Sequence, residues 1–165
     1  MSLDAGPMNE EIPEPTDPTD LPDLTHPADL GLGPAQRLLT EAELARWASF
    51  IHQGGSSRST LWLLLLDRDG RSLPELIAID DVEPGPHPVF VANLLQLVEV
   101  TLATIAPGGS MVAMLERPGT PHRTPADREW NEAVRGEART CGIPVQALFV
   151  ACAGRILPMT LDDAA

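Results

Sequence analysis

The fold is decided by the stretch Met111–Cys152, which reads MVAMLERPGTPHRTPADREWNEAVRGEARTCGIPVQALFVAC. It opens on one short apolar run, Met111–Leu115, and closes on a second, Val145–Cys152, and runs of this length are typical of buried strands. Between them Thr124 and Pro125 mark the start of a helix, because a threonine suits the N-cap and a proline suits the first helical position. The stretch therefore predicts a strand, a loop, a capped helix and a second strand.

The residues before and after this stretch predict the other elements. Thr40 and Glu43 form a capping-box pattern at the start of a helix that is expected to end at about Gln53, before a glycine pair. The other elements are a strand at Thr60–Leu66 (TLWLLLL) buried on both faces, its hairpin partner at Leu76–Ile79, a long helix at Val89–Ile105 and a last strand at Arg155–Met159. The predicted order is α-β-β-α-β-α-β-β, an α/β (α+β) chain with a mixed sheet flanked by helices.

Two details of these helices are also predicted. In the long helix, two neighbouring apolar stripes should be largely buried against the sheet; they are Phe90, Leu94, Leu97, Thr101 and Ile105, beside Val91, Leu95, Val98 and Leu102. His52, in the last turn of the first helix, would act there as a cation that suits the helix dipole.

The amino-acid composition excludes several classes of function. The chain has 165 residues, typical of one domain, and a net charge of −13. All 11 basic residues are arginines, so a Schiff-base lysine and a phosphate-loop lysine are excluded. An acidic chain repels nucleic acid. No apolar run approaches membrane length, and Cys141 and Cys152 form no paired framework. We therefore expect a soluble, cytoplasmic protein with reduced thiols.

The first 36 residues differ from the rest. They contain eight acidic residues, seven prolines and no arginine, a composition that cannot bury enough apolar surface to offset its ordering entropy. This predicts a disordered acidic tail at residues 1–36 and an ordered domain at residues 37–165. The tail either docks on a basic surface, of a partner or of its own domain, or acts only as a solvating segment.

Several motifs between Leu61 and Asp162 resemble the RadC branch of the JAB/MPN (JAMM) metallopeptidase fold, a three-layer, cytidine-deaminase-like architecture. Leu64–Asp67 matches the branch's strand-and-turn hairpin, and His87-Pro88 precedes the long helix as in that branch. The strand Met111–Leu115 leads into the region of the branch's metal signature, and a Gly-Ile step precedes the closing strand. The resemblance implies the same order of elements over about 100 residues.

In this branch two histidines and an aspartate hold zinc within the signature H-N-H-P-S-G followed by P-S-x-x-D. The histidine positions fall here on Leu115 and Arg117, and the following proline and glycine correspond to Pro118 and Gly119, with one residue deleted between them. The serine and the aspartate correspond to Thr124 and Asp127 in the sequence Thr124–Asp127.

The resemblance also implies a general acid/base glutamate, whose counterpart is Glu75. Catalytic zinc needs three protein ligands and an open position, and of the branch's ligands only Asp127 remains. Arg117 would bring a guanidinium to the place of the cation, so that an Arg117–Asp127 pair could replace the metal's charge. Thr124 and Asp127 alternatively form nothing more than a helix cap.

Other ligands could rebuild a metal site with Asp127. Glu116, His122 and Cys141 are near in sequence, but Glu116 alternates with Leu115 along the strand and should point to the opposite sheet face. A rebuilt site would rest on His122 and Asp127.

A basic cluster lies beside these positions. Arg117, Arg123 and Arg128 form it, and Arg135 and Arg139 continue it along the helix. It is either a solvated helix face or an anion-binding pocket at a helix N-terminus. The candidate binding residues are Arg117, His122, Arg123, Asp127 and Arg128.

Two functions follow from the sequence. The first is a catalytically inactive RadC/JAB-like domain that binds a protein or ligand, needs no cofactor, and pairs with a partner or with itself. The second is a divergent, isopeptidase-like metal-dependent hydrolase with rearranged ligands around His122 and Asp127. Leu115 and Arg117 favour the first.

Overall fold

The computed structural model describes residues 36–52 and 57–164. In chain order the elements are α1 (Glu41–Ile51), β1 (Thr60–Leu66), β2 (Ser72–Asp80), α2 (Pro88–Ile105), β3 (Ser110–Glu116), α3 (Pro125–Thr140), β4 (Val145–Cys152), β5 (Arg155–Met159) and a short 3-10 turn (Asp162–Ala164). The predicted order is confirmed, and three of the five strands, β1, β4 and β5, have the predicted bounds.

The five strands form one mixed sheet in the order β2-β1-β3-β4-β5. β3 lies at its centre, antiparallel to β1 and parallel to β4, while β2 and β5 are antiparallel edge strands. Because the connection from β3 to β4 joins parallel strands, it must cross the sheet, and α3 provides that crossover. The carboxyl ends of β3 and β4 consequently meet at one edge, next to the start of α3.

Helices cover both faces of the sheet. On one face, α2 and α3 pack on alternate residues of the central strands, among them Leu63, Ala113 and Val150. On the other face, α1 packs on the intervening residues, among them Met114 and Phe149. β3 is therefore buried along its whole length, as expected of a strand covered on both sides.

Both predicted capping boxes are present. In α1 the Thr40 hydroxyl accepts from the Glu43 amide, and the Glu43 carboxylate accepts from the Thr40 amide. The helix ends at Ile51 with His52 as C-cap, whereas Gln53 and the glycine pair lie outside the described residues. The turn after β1 is also as predicted, since the Asp67 carboxylate accepts from two backbone amides across it.

The burial of α2 differs from the prediction made from its sequence. The stripe that contains Val91, Leu95 and Val98 is buried on the sheet, but Leu97 and Ile105 of the other stripe are 60% and 50% exposed. A helix that lies on a single sheet face buries only one side. The apolar pattern in the sequence is therefore wider than the face of α2 that is buried. Among the described residues α2 alone is long and apolar enough to cross a membrane, by length and composition, which corrects the expectation that no apolar run approaches that length. One side of α2 packs on the sheet.

The predicted domain boundary is tested by truncation. Residues 1–35 lie outside the described part of the chain, but Gln36, predicted to belong to the tail, accepts a backbone hydrogen bond from Ser72, and Leu38 is buried. We expect deletion of residues 1–35 to leave the melting temperature nearly unchanged. Deletion through Leu38 should lower stability by about 2 kcal/mol, because a buried leucine is lost. Equal melting temperatures for the two truncations would contradict this placement of the boundary.

Candidate functional site

The predicted pair of Arg117 and Asp127 is present where the carboxyl end of β3 meets the start of α3. Arg117 Nε donates to Asp127 Oδ1 at 2.7 Å, and Arg117 Nη2 donates to Asp127 Oδ2 at 2.7 Å. The Asp127 side chain is fully buried and that of Arg117 is 13% exposed. Two parallel, charge-assisted hydrogen bonds make this the strong geometry of an arginine–carboxylate pair.

The helix cap positions the carboxylate. Asp127 is the third residue of α3, and its Oδ2 also accepts from the Thr124 amide at 2.7 Å, while the Asp127 amide donates to the Thr124 hydroxyl. Pro125 begins the helix, so the backbone there is already suited to the first turn. The cap and the ion pair therefore share one carboxylate.

Every N–H donor of Arg117 has an acceptor within the chain. Besides Asp127, the guanidinium donates to the carbonyl oxygens of Pro118 (3.2 Å), Thr120 (3.4 Å) and His122 (2.8 Å). An arginine has five such donors, and all five are used. Arg117 thus holds the loop between β3 and α3, and it would have to give up internal bonds to take an external anion.

The charges of the pair stabilise each other. Burial would raise the pKa of Asp127, but the hydrogen bonds from Arg117 and the Thr124 amide outweigh burial and hold that pKa below its ordinary value. The bond to Asp127 raises the pKa of Arg117. Behind the pair, Cys152 at the end of β4 directs its Sγ at the Thr120 carbonyl, and burial raises the pKa of this thiol. Such a thiol is a poor nucleophile.

The lowered pKa of Asp127 predicts a pH dependence. A depressed carboxyl pKa contributes stability above the ordinary value of about 4, and this contribution is lost as the pH falls through the folded-state pKa. The stability gap between the native chain and Asp127→Asn should therefore be widest near neutral pH and narrow below about pH 4. Urea unfolding across pH measures the gap. A gap of constant size would show that Asp127 does not stabilise as a carboxylate.

The other predicted ligands do not converge on Asp127. Glu116 points to the α1 face, as predicted, and the His122 side chain is exposed. Cys141 is at the opposite end of α3, and Leu115 is buried in the core. Residues 36–52 and 57–164 contain no group of three or more His, Cys, Asp or Glu side chains placed to hold a metal. The side chains around Asp127 do not fit a zinc ion, because the Arg117 guanidinium occupies both carboxylate oxygens.

Glu75 lies away from this site. It is exposed on the edge strand β2, beside Leu76. Leu76 pairs with Leu64 of β1, and Leu64 pairs in turn with Val112, near the start of β3. Arg117, in contrast, follows the end of β3. The structure therefore does not bring Glu75 next to Asp127, since the length of β3 separates the two positions.

The predicted basic cluster contains four arginines besides Arg117. Arg123 donates to the Pro158 carbonyl, and Arg135 donates to Asn131 and to the Met159 carbonyl. These bonds tie the α3 region to the end of β5, while Arg128 and Arg139 are exposed. Arg123 and Arg135 act as internal ties within the described residues, and an anion pocket in this cluster stays a prediction.

Sequence reasoning missed a second buried polar cluster, on the α1 face. His52 Nδ1 lies 3.0 Å from Glu116 Oε1, and Trp62 Nε1 donates to Glu116 Oε2 at 3.0 Å. The Gly154 amide donates to His52 Nε2 at 3.1 Å, which requires Nδ1 to carry the proton and donate to Glu116. His52 therefore links Glu116 to the turn before β5, and its predicted role as a cation at the helix end stays a prediction. The sequence signal that could have indicated this cluster was Glu116, which directly follows the apolar run Met111–Leu115.

A cleft of about 300 Å³ opens on the α2–α3 side, at the end of β2. Its apolar lining includes Ile79, Val82 and Phe90, with Trp130 at its base, and its rim carries Asp81 and Glu83. These acids follow directly after β2 in the chain. They lie near Trp130 of α3 because α3, which connects β3 to β4, packs on the same side of the sheet.

No protein-family model matches the chain, and no curated protein matches it significantly.

Proposed function

We propose that this chain is a non-catalytic domain of RadC-like JAB/MPN architecture, which works in the cytoplasm by binding a protein or ligand. The observation that supports the proposal is the Arg117–Asp127 pair, which lies where the resemblance puts a metal and two of its ligands. A domain that replaces metal ligands with an internal ion pair keeps the fold and loses the reaction.

The chemistry of the pair supports this conclusion. A catalytic metal lowers the pKa of a bound water and leaves a position open for substrate. The guanidinium of Arg117 supplies a positive charge, but it cannot be deprotonated and all its donors face acceptors of the chain. The carboxylate of Asp127 is equally occupied, so it is not free to act as a base.

The proposed partner is a protein or another copy of this chain, not nucleic acid. The net charge of −13 opposes binding to a polyanion. Arg123 and Arg135, two of the four other arginines of the basic cluster, are engaged in bonds to backbone carbonyls or to Asn131.

Metal content tests the non-catalytic role. We expect the purified, untagged full chain to contain no stoichiometric zinc and to melt at the same temperature with and without a chelator. Stoichiometric zinc and a chelator-sensitive melting temperature would overturn the proposal in favour of a hydrolase. His122→Ala and Asp127→Asn would then identify the ligands, since each should abolish the bound zinc if the site rests on these residues.

A further inference from the structure

The cleft at the end of β2 combines a rigid apolar interior with an acidic rim. Trp130 Nε1 donates to the carbonyl oxygens of Glu83 (3.2 Å) and Pro84 (3.0 Å), which fixes the indole beneath the loop that follows β2. Phe90 packs edge-on against Trp130, with ring centroids 6.3 Å apart and an interplanar angle of 83°. The interior is therefore held by two aromatic rings and by one indole N–H shared between two carbonyl oxygens.

The rim is negatively charged. Asp80, Asp81 and Glu83 line the cleft together with His87. Asp80 accepts from the Thr60 hydroxyl at 2.9 Å, and Asp81 lies 3.6 Å from Arg58 in a pair whose side chains are both more than 60% exposed. An exposed pair at this distance is weak and exchanges readily with another cation. The cleft thus offers apolar walls below and carboxylates above.

The edge strand β2 leads directly into the cleft. β2 pairs with β1 on one side, and among the described residues its other side is met only at its start, by a bridge between Arg37 and Arg71. Pro74 blocks pairing near the start of the strand, which leaves Leu76–Asp80 as an edge that can accept another strand. Ile79 and Asp80 belong both to this edge and to the cleft.

We propose that an extended segment of a partner protein pairs with the edge of β2 and places an arginine or lysine side chain in the cleft at its end. The methylene stem of such a side chain suits the apolar walls, and its charged head would meet the carboxylates of Asp81 and Glu83. Backbone pairing supplies affinity and the cleft supplies selectivity for a basic residue. This inference rests on the proposed binding function and specifies its partner.

The test uses the full chain and a fluorescein-labelled short peptide of alternating valine and arginine, followed by fluorescence anisotropy. We expect saturable binding that weakens roughly tenfold in the double variant Asp81→Asn, Glu83→Gln, because two carboxylates that contact the basic head are lost. The double variant Glu41→Gln, Glu132→Gln is the matched control, since it makes the same change in net charge at exposed positions outside the cleft and β2. It should bind as the native chain does.

Two further peptides and one small-molecule competitor complete the test. Replacing arginine by citrulline, which keeps the shape and removes the charge, should weaken binding by roughly tenfold or more, as the loss of the two carboxylates does. Methylation of alternate backbone nitrogens should abolish binding, because it removes hydrogen bonds of the paired strand. Arginine amide alone should compete only weakly.

If both double variants lost the same affinity for the peptide, the loss would reflect the overall negative charge of the chain and not the two carboxylates of the cleft. That result would overturn the proposal. Strong competition by arginine amide would overturn it in favour of a small-molecule site. Unchanged binding of the methylated peptide would overturn the pairing with β2. The zinc and chelator measurements stand apart from all these outcomes, so a failure of the peptide test leaves the non-catalytic role intact.

Discussion

Replacing Arg117 with alanine is expected to lower the free energy of unfolding by about 3 kcal/mol, because the change leaves the buried Asp127 carboxylate without its counter-charge. Both short hydrogen bonds to Asp127 disappear, and so do the three bonds that hold the loop between β3 and α3. Chemical denaturation at neutral pH measures the loss.

Two further variants separate the ion pair from other effects. Arg128→Ala removes an exposed arginine from the first turns of the same helix and should change stability little. The double variant Arg117→Met, Asp127→Asn should recover part of the stability lost in Arg117→Ala, because the unpaired buried charge is then absent. An Arg117→Ala chain as stable as the native one would refute the structural role of the pair.

Glu116→Ala is expected to cost about 3 kcal/mol, because it deprives two side-chain donors in the interior, His52 Nδ1–H and Trp62 Nε1–H, of their acceptor. The cluster joins the end of α1, β1 and β3 to the turn before β5, through the bond from the Gly154 amide to His52. Its loss should therefore loosen α1 more than the rest of the chain. Amide hydrogen exchange would report that difference as faster exchange in α1.

Glu132→Ala serves as the control, since Glu132 is exposed on α3, on the other face of the sheet. A double-mutant cycle with His52→Ala isolates the contact of His52 with Glu116. Additive effects of the two changes would contradict the coupling that the 3.0 Å contact implies.

The sequence predicted those parts of the fold that depend on neighbouring residues. The bounds of β1 follow from a continuous apolar run closed by an aspartate-glycine turn. The starts of α1 and α3 follow from capping boxes, in which hydroxyl and carboxylate are three positions apart. The Arg117–Asp127 pair was also predicted, from the resemblance that aligns both residues with metal-ligand positions.

Predictions that required knowledge of packing were less successful. Leu97 and Ile105 belong to an apolar stripe, yet they are exposed, because helical periodicity does not indicate how much of a helix the sheet covers. Glu75 was aligned with a catalytic glutamate, yet the register of β2, β1 and β3 places it at the far end of the sheet. Strand register is set by pairing across the sheet, and a residue's own neighbours do not reveal it.

The sequence by itself determined the order of the elements, their caps and the acidic charge, because each of these depends on the composition of the chain or on residues close together in it. Only the tertiary structure decided that His52 meets Glu116 across 64 positions, and that the acids after β2 face Trp130 of α3. Both contacts arise where distant segments converge at the end of the sheet that holds the carboxyl ends of β3 and β4. Convergence of this kind follows from strand order and crossover direction, which local patterns do not specify.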